Sequence, residues 1–492
     1  RELRRQLLSL LGQASPYRHP LAGAELSGRV GAVDYAVHDG RLCLCRAAHG
    51  NHSACVPIVE GVVRIRRHLQ RLYGEGERGD SLLELEAYLP SGRPLPPARI
   101  PAPEFARPSR WTMAAWGGAV AIDLTRERHV ANAIMAISRP QQGRVYAHLG
   151  WAHTPQGPVY VHAGGAIDAA GEVQGLEVDL PPELASFRLP PPPEGDEERL
   201  AAWQLLSLLE LGPERITAPL LLAALAAPLG ALPYTLALVG GSGHFKTSLA
   251  CVFQAIWGTP LEPPLSWDAT PNAIESLAWH AKDALLLVDD LWPEHVEAAS
   301  RLLRSQANRR GRARAGRAGE YRNERHPRGV VIITAEDFPS PRVSIQARVL
   351  TLPVAKGDID PRRLQLAQAA AADGLLAAAM AAWIRWLAGR LSQTQTRLTA
   401  RSRELRSLWR LASHGRLDDL LSRLQAVLEI WVDYLRALKA VSDDEAQALG
   451  ARIQAGLEAA VAQQNEQVKD TGLASLFPRL LAAAFLQTAH LR

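Results

Sequence analysis

The stretch Leu236-Ala-Leu-Val-Gly-Gly-Ser-Gly-His-Phe-Lys-Thr-Ser248 is an apolar run that breaks into glycines and ends on a lysine and two hydroxyls. Its apolar half predicts a buried strand, its glycines a turn with converging backbone N–H groups, and the residues from the lysine onward a helix. A helix N-terminus behind such a turn offers a positive dipole and unpaired donors to an anion. Gly241, Ser242, Gly243, His244 and Phe245 are therefore the expected phosphate cradle. Lys246 is expected to neutralise the outer phosphates and Thr247 to ligate magnesium, with Ser248 beside it. The usual pattern has glycine before the lysine, and here that residue is Phe245. The stretch predicts an α/β P-loop core on a parallel sheet, with ATP and Mg2+ as cofactors.

Two further strands extend the reading. Ala284-Leu-Leu-Leu-Val-Asp-Asp290 is an apolar run ending in two carboxylates. A magnesium nucleotide site needs one acid on the metal and another to orient the attacking water, so Asp289 is assigned to the metal and Asp290 to the water. Gly329-Val-Val-Ile-Ile-Thr334 ends at Ala335-Glu336-Asp337, and Thr334, then Glu336, is the candidate sensor of a terminal phosphate. Downstream, Arg348 is placed to reach a neighbouring subunit's phosphate as a charge-stabilising finger.

Around this core the 492 residues are 47% hydrophobic and 21% charged, too apolar for global disorder. Four cysteines exclude a disulfide scaffold and point to a reducing cytoplasm. The first methionine is Met113, so the natural N-terminus is expected upstream of Arg1. The net charge of +5 is unevenly distributed. Ten arginines and two glutamates between Arg301 and Arg328 give that segment +8 and leave about −3 elsewhere. Ile216 to Gly243 is charge-free, but Pro219, Pro228, Gly230 and Pro233 divide it into a buried helix and a strand, so no membrane span is expected.

The expected organisation is a helix and linker over 1–25 and a strand-rich mixed α+β domain over 26–188. Helices interrupt that domain at Ile58–Tyr73 and Glu127–Ile137. A proline and acidic linker covers 189–198, a helical lead-in 199–230, the P-loop domain 231–358 and an all-helical C-terminal region 359–492. Cys43, Cys45, His49, His52 and Cys55 contain zinc-ligand types, but Cys43 and Cys45 alternate along a strand and read as half-buried thiols. Trp383, Trp386, Trp409 and Trp431 recur at helical spacing and read as core. Arg401, Arg403 and Arg406 read as a solvated helix face.

Gly329–Leu350, with its polar strand tip and Ile-Gln-Ala-Arg-Val, resembles viral superfamily 3 helicases of the AAA+ class. More closely, the chain resembles the family called domain of unknown function 927, found in helicase-like proteins of mobile elements. The resemblance is carried by Gly150-Trp151, Tyr160–Ile167, Ser266–Thr270, Asn272–Glu275, Leu287–Asp290, Pro327–Val330 and Thr334–Glu336. It spans about residues 30–390, with Ala335 where family members have glycine. It implies an AAA+-like fold, a homo-oligomeric ring and a hairpin between the acidic and sensor strands that grips nucleic acid. Arg309, Arg310, Arg312, Arg314 and Arg317 fall in that interval, where arginines neutralise phosphates without reading sequence. The expected function is an ATP-dependent helicase or translocase on single-stranded or forked DNA, serving phage or plasmid replication with a fused or associated primase. The alternative is a nucleotide-dependent switch or assembly ATPase that unwinds nothing.

Overall fold

The computed structural model describes residues 26–47, 53–74, 78–230, 232–263, 265–309, 314–315, 321–322, 325–337, 348–409 and 415–470. The helix expected over 1–25 lies outside them. The chain divides after Val145 into two units.

In the first unit, period-two patterns produce two antiparallel sheets. Strands β1 (Ser27–Val30), β2 (Val33–His38), β3 (Arg41–Ala47) and β4 (Ser53–Val59) pair in that order. Strands β5 (Val62–Leu72), β6 (Arg78–Tyr88), β7 (Ala98–Pro101) and β8 (Gln141–Tyr146) form the second, ordered β7-β6-β5-β8. The helix expected over Ile58–Tyr73 is therefore strand. Val62, Ile65 and Leu69 imitate a helical stripe, but the ladder sets Arg64 opposite Glu86 and Arg67 opposite Glu84, and both pairs form salt bridges. Those cross-strand partners override local spacing. Helix α1 (Pro108–Trp116) starts on proline and stops at left-handed Gly117. Helix α2 (Glu127–Ile137) falls where expected and buries Val130, Ala133, Ile134 and Ile137 along one face.

The second unit begins with an antiparallel meander of β9 (Gly150–Thr154), β10 (Gly157–His162), β11 (Gly165–Asp168) and β12 (Gly171–Val173). The linker expected at 189–198 thus lies inside this unit. The reason is packing: Trp151, Tyr160 and Ile167 share one core with the helices and sheet that come after them. Trp151 Nε1 donates to the Pro228 carbonyl (2.5 Å) and Tyr160 OH to that of Asp283 (2.8 Å). Helix α3 (Asp196–Ser207) leads to α4 (Glu214–Ala226), in which every residue from Ile216 is buried. The charge-free run is divided as expected, between α4 and β13 (Thr235–Val239). Among the described residues, no single helix is long and apolar enough to cross a membrane.

A parallel sheet forms from β13, β14 (Leu285–Leu291), β17 (Val330–Ala335) and β18 (Val349–Pro353), ordered β14-β17-β13-β18. Between β13 and β17 come α5 (Lys246–Ala255), α6 (Pro271–His280), α7 (Val296–Asn308) and the short strands β15 (Arg314–Ala315) and β16 (Tyr321–Arg322). The sheet's outer strands expose backbone groups that must find partners. Two buried glutamines supply them. Gln254 of α5 donates to the Leu285 carbonyl and accepts from Leu287 N–H, both at 2.7 Å. Gln464 donates to the Val349 carbonyl (2.9 Å) and accepts from Thr351 N–H (3.1 Å). One amide side chain thus closes each edge.

The C-terminal region is helical as expected: α8 (Pro361–Ala372), α9 (Leu375–Ala388), α10 (Leu391–Arg406), α11 (Gly415–Ala437) and α12 (Asp443–Asp470), the last carrying Gln464. Trp383 and Trp431 are fully buried, and Trp383 stacks on Trp386. The arginine face of α10 is not simply solvated. Arg397 pairs with Asp433, Arg401 with Glu429 and Arg406 with Asp419, a seam of ion pairs along α11.

Candidate functional site

Parallel strands deliver all their C-terminal ends to one edge of a sheet, and ligands of such sheets bind there. The register aligns Val239 of β13 and Leu291 of β14 with Ala335 of β17. The glycine turn after β13, the acids of β14 and the threonine of β17 therefore meet. Gly240 is pressed against the chain beyond β18, where a Cβ would lie 2.2 Å from the Val354 carbonyl oxygen. His244 Nδ1 contacts the same carbonyl at 2.9 Å. Phe245 occupies the left-handed backbone region at φ 61°, a conformation that costs about 1–2 kcal/mol outside glycine. The residue is 42% exposed, so the phenylalanine is accommodated without being buried in the turn. Lys246 opens α5 and folds its ammonium over the turn, donating to the Gly241 carbonyl at 2.9 Å.

The centre is a four-residue network. Asp289 Oδ1 accepts from Thr247 Oγ1 (2.9 Å) and from Thr334 Oγ1 (2.5 Å). Thr334 Oγ1 in turn accepts from the Asp290 N–H (2.8 Å). Asp289 is also anchored through its backbone, its N–H donating to the Leu265 carbonyl (3.0 Å) while Ser266 bridges to it. Asp290 is exposed at φ 61° and accepts at Oδ2 from Trp292 Nε1 (2.7 Å). Trp292 escaped the sequence reading; its signal was an aromatic donor two positions beyond the paired acids. Glu336 is exposed just past the end of β17.

The hydroxyl of Thr247 and the carboxylate of Asp289 are hard oxygen donors of the type magnesium prefers. The turn, the α5 N-terminus and Lys246 together fit a polyphosphate. These residues suit both groups chemically.

Arg348 stands elsewhere. Its carbonyl accepts from Thr235 N–H (3.2 Å), so it lies at the opposite, N-terminal edge of the sheet. The five residues of β18 separate it from the loop edge by about 16 Å at ~3.3 Å per residue. Burial lowers its pKa from the usual arginine range, and Arg416 and Arg304 add repulsion. Within one chain the structure does not bring Arg348 to Lys246, Thr247 and Asp289.

Arg309 ends α7 as a left-handed cap. Arg310, Arg312 and Arg317 lie outside the described residues. The backbone at Arg314 is described: Arg314 pairs with Arg322 and Ala315 with Tyr321, a short antiparallel ladder that makes this interval a hairpin. The cysteine expectation needs correction. Cys45 is joined to Cys55 in a disulfide, because the β3–β4 register sets the two residues directly opposite. Cys43 is a buried thiol, and His49 and His52 lie outside the described residues.

No curated protein matches the sequence. The family described as Domain of unknown function (DUF927) matches residues 213–326, which contain the glycine turn, both acids and the hairpin. The fold is similar to that of SCCmec type IV Cch, an active helicase, at TM-score 0.54 and 12% identity, over 94% of this chain and 83% of that one. The apo NrS-1 C-terminal region aligns at TM-score 0.30 and 11% identity, over 76% of this chain and 82% of that one.

Proposed function

We propose that this chain is an ATPase that uses magnesium and ATP to move along nucleic acid. The observation carrying this reading is the Thr247–Asp289–Thr334–Asp290 network behind a glycine turn. In it Lys246 and the turn's N–H groups hold phosphates, and Thr247 with Asp289 holds the metal. Asp290 orients water, while Thr334 and Glu336 register the terminal phosphate. Bound magnesium would supply charge neutralisation between the phosphates. Arg348 serves the neighbouring subunit's site in a ring, a role compatible with its distance from its own. Arg309, Arg310, Arg312, Arg314 and Arg317 grip the phosphate backbone of single-stranded or forked DNA. Fold similarity to an active helicase is in keeping with unwinding; in this reading the work is done in the cytoplasm, in mobile-element replication beside a primase.

A nucleotide switch is the second reading, favoured by the hydrogen bond from Trp292 Nε1 that occupies Asp290 Oδ2, an oxygen that orienting a water would require. Measuring ATP hydrolysis with and without single-stranded DNA separates the two. Stimulated turnover that Lys246→Ala abolishes is expected. Nucleotide binding without stimulated turnover would favour the switch, and unchanged ATP affinity in Lys246→Ala would remove the site altogether.

A further inference from the structure

The first unit holds a group of side chains that the nucleotide site does not use. His38 ends β2, Cys45 lies on β3 and Cys55 on β4. Their ligand atoms, one imidazole nitrogen and two sulfurs, all lie within 4.8 Å of one another. His38 Nε2 is 3.9 Å from Cys45 Sγ. Bond lengths of about 2.0–2.3 Å place two ligands of a tetrahedral zinc about 3.5–3.8 Å apart. The imidazole thus already stands at close to ligand spacing from the first sulfur.

We infer that Cys45, Cys55 and His38 form a binding site for zinc or a similar borderline-soft divalent ion when the two cysteines are reduced. Two thiolates and a neutral imidazole balance the ion's double charge, leaving a neutral cluster with water in the fourth position. The disulfide is the two-electron oxidised form of the same pair and excludes the ion, since its sulfurs lack thiolate charge. A phosphine or small-thiol reductant supplies two electrons, two protons enter, and Cys45 and Cys55 become thiols. Zinc then displaces both protons. Cys43, although on the same strand, stays out of the set: it is buried and its Sγ–H points to the Arg41 carbonyl at 3.6 Å. The ion would join three neighbouring strands of one sheet.

The test uses the full chain, reduced with a phosphine, loaded with zinc chloride and desalted. Zinc content by atomic emission should be one per chain. Mass spectrometry after alkylation should show Cys45 and Cys55 protected until a chelator is added. Cys251, whose thiol burial pushes up to about 12, serves as a slow internal reference. Cys55→Ser should lose the zinc, His38→Ala should weaken its binding at least tenfold, and Cys43→Ser should retain it. Equal zinc retention in Cys55→Ser and the parent chain would overturn the assignment. So would alkylation of Cys45 and Cys55 in the parent chain that zinc does not slow, or a disulfide that survives reduction. The alkylation readout needs no variant, so a misfolded mutant leaves the question answerable.

Discussion

Thr247 and Asp289, 42 residues apart, are joined by a 2.9 Å hydrogen bond between hydroxyl and carboxylate. That bond ties the helix following the glycine turn to the strand carrying the acids, the two elements a metal would have to bridge. Thr334 enters from a third element, strand β17, and donates to the same oxygen. Helix α5 and strands β14 and β17 are therefore tied together through one carboxylate oxygen.

Thr334→Val should leave ATP binding nearly unchanged and slow hydrolysis. Its hydroxyl donates to one acid and accepts from the backbone of the next, and hydrogen bonds to charged groups are worth about 1.5–3 kcal/mol. The expected loss is roughly tenfold to a hundredfold by steady-state kinetics. Thr334→Ser keeps the hydroxyl and should recover most of the rate; a serine variant as slow as valine would point to packing instead.

Changing Arg309, Arg310, Arg312, Arg314 and Arg317 to serine should weaken single-strand binding for every sequence alike. Each lost phosphate contact removes about 0.7 from the slope of log affinity against log salt. A titration with an unaltered slope would assign these arginines to solvent.

Arg348→Ala should bind ATP normally but turn it over slowly, since fingers of this kind are worth about 10³–10⁵ in rate. About 16 Å of sheet keeps Arg348 from its own loop, so partial activity should return on mixing with Lys246→Ala. Given independently demonstrated subunit exchange, a mixture that stays inactive would exclude the shared site.

Acid should destabilise the second unit through two histidines. Burial lowers His148 to about 3 and His162 to about 4, each below the ordinary 6.5. With the folded values depressed, the unfolded chain takes up protons first. Stability is thus fully present above about pH 6.5 and is lost as pH falls toward 4 and then 3. Each pH unit across that window costs about 1.4 kcal/mol per histidine. Denaturant midpoints against pH should show this slope, and His148→Gln should reduce it by about half between pH 6.5 and 4.

Much of the site was legible because its chemistry sits in short runs. Glycines before Lys246 and Thr247, acids at 289–290 and Thr334 at a strand tip each carry a local signature. Trp292 was not legible, since its bond to Asp290 depends on the direction the chain takes after a left-handed residue. The helix expected at Ile58–Tyr73 is strand: its apolar spacing fits a helix as well as a strand. Glu84 and Glu86, which decide between them, lie at a distance in sequence.

By itself the sequence determined the strand–turn–helix at Leu236–Ser248, the order of the strands bearing Asp289 and Thr334, and the helical character of the last third. These rest on backbone preference and apolar period, which act over a few residues. Only the tertiary structure decided that Thr247, Asp289 and Thr334 share one oxygen and that Arg348 stands at the far edge of the sheet. It alone placed the meander at 150–173 in the second unit and brought His38 to Cys45 and Cys55. Those facts depend on strand register and on which faces bury together, and neither is fixed until distant segments meet.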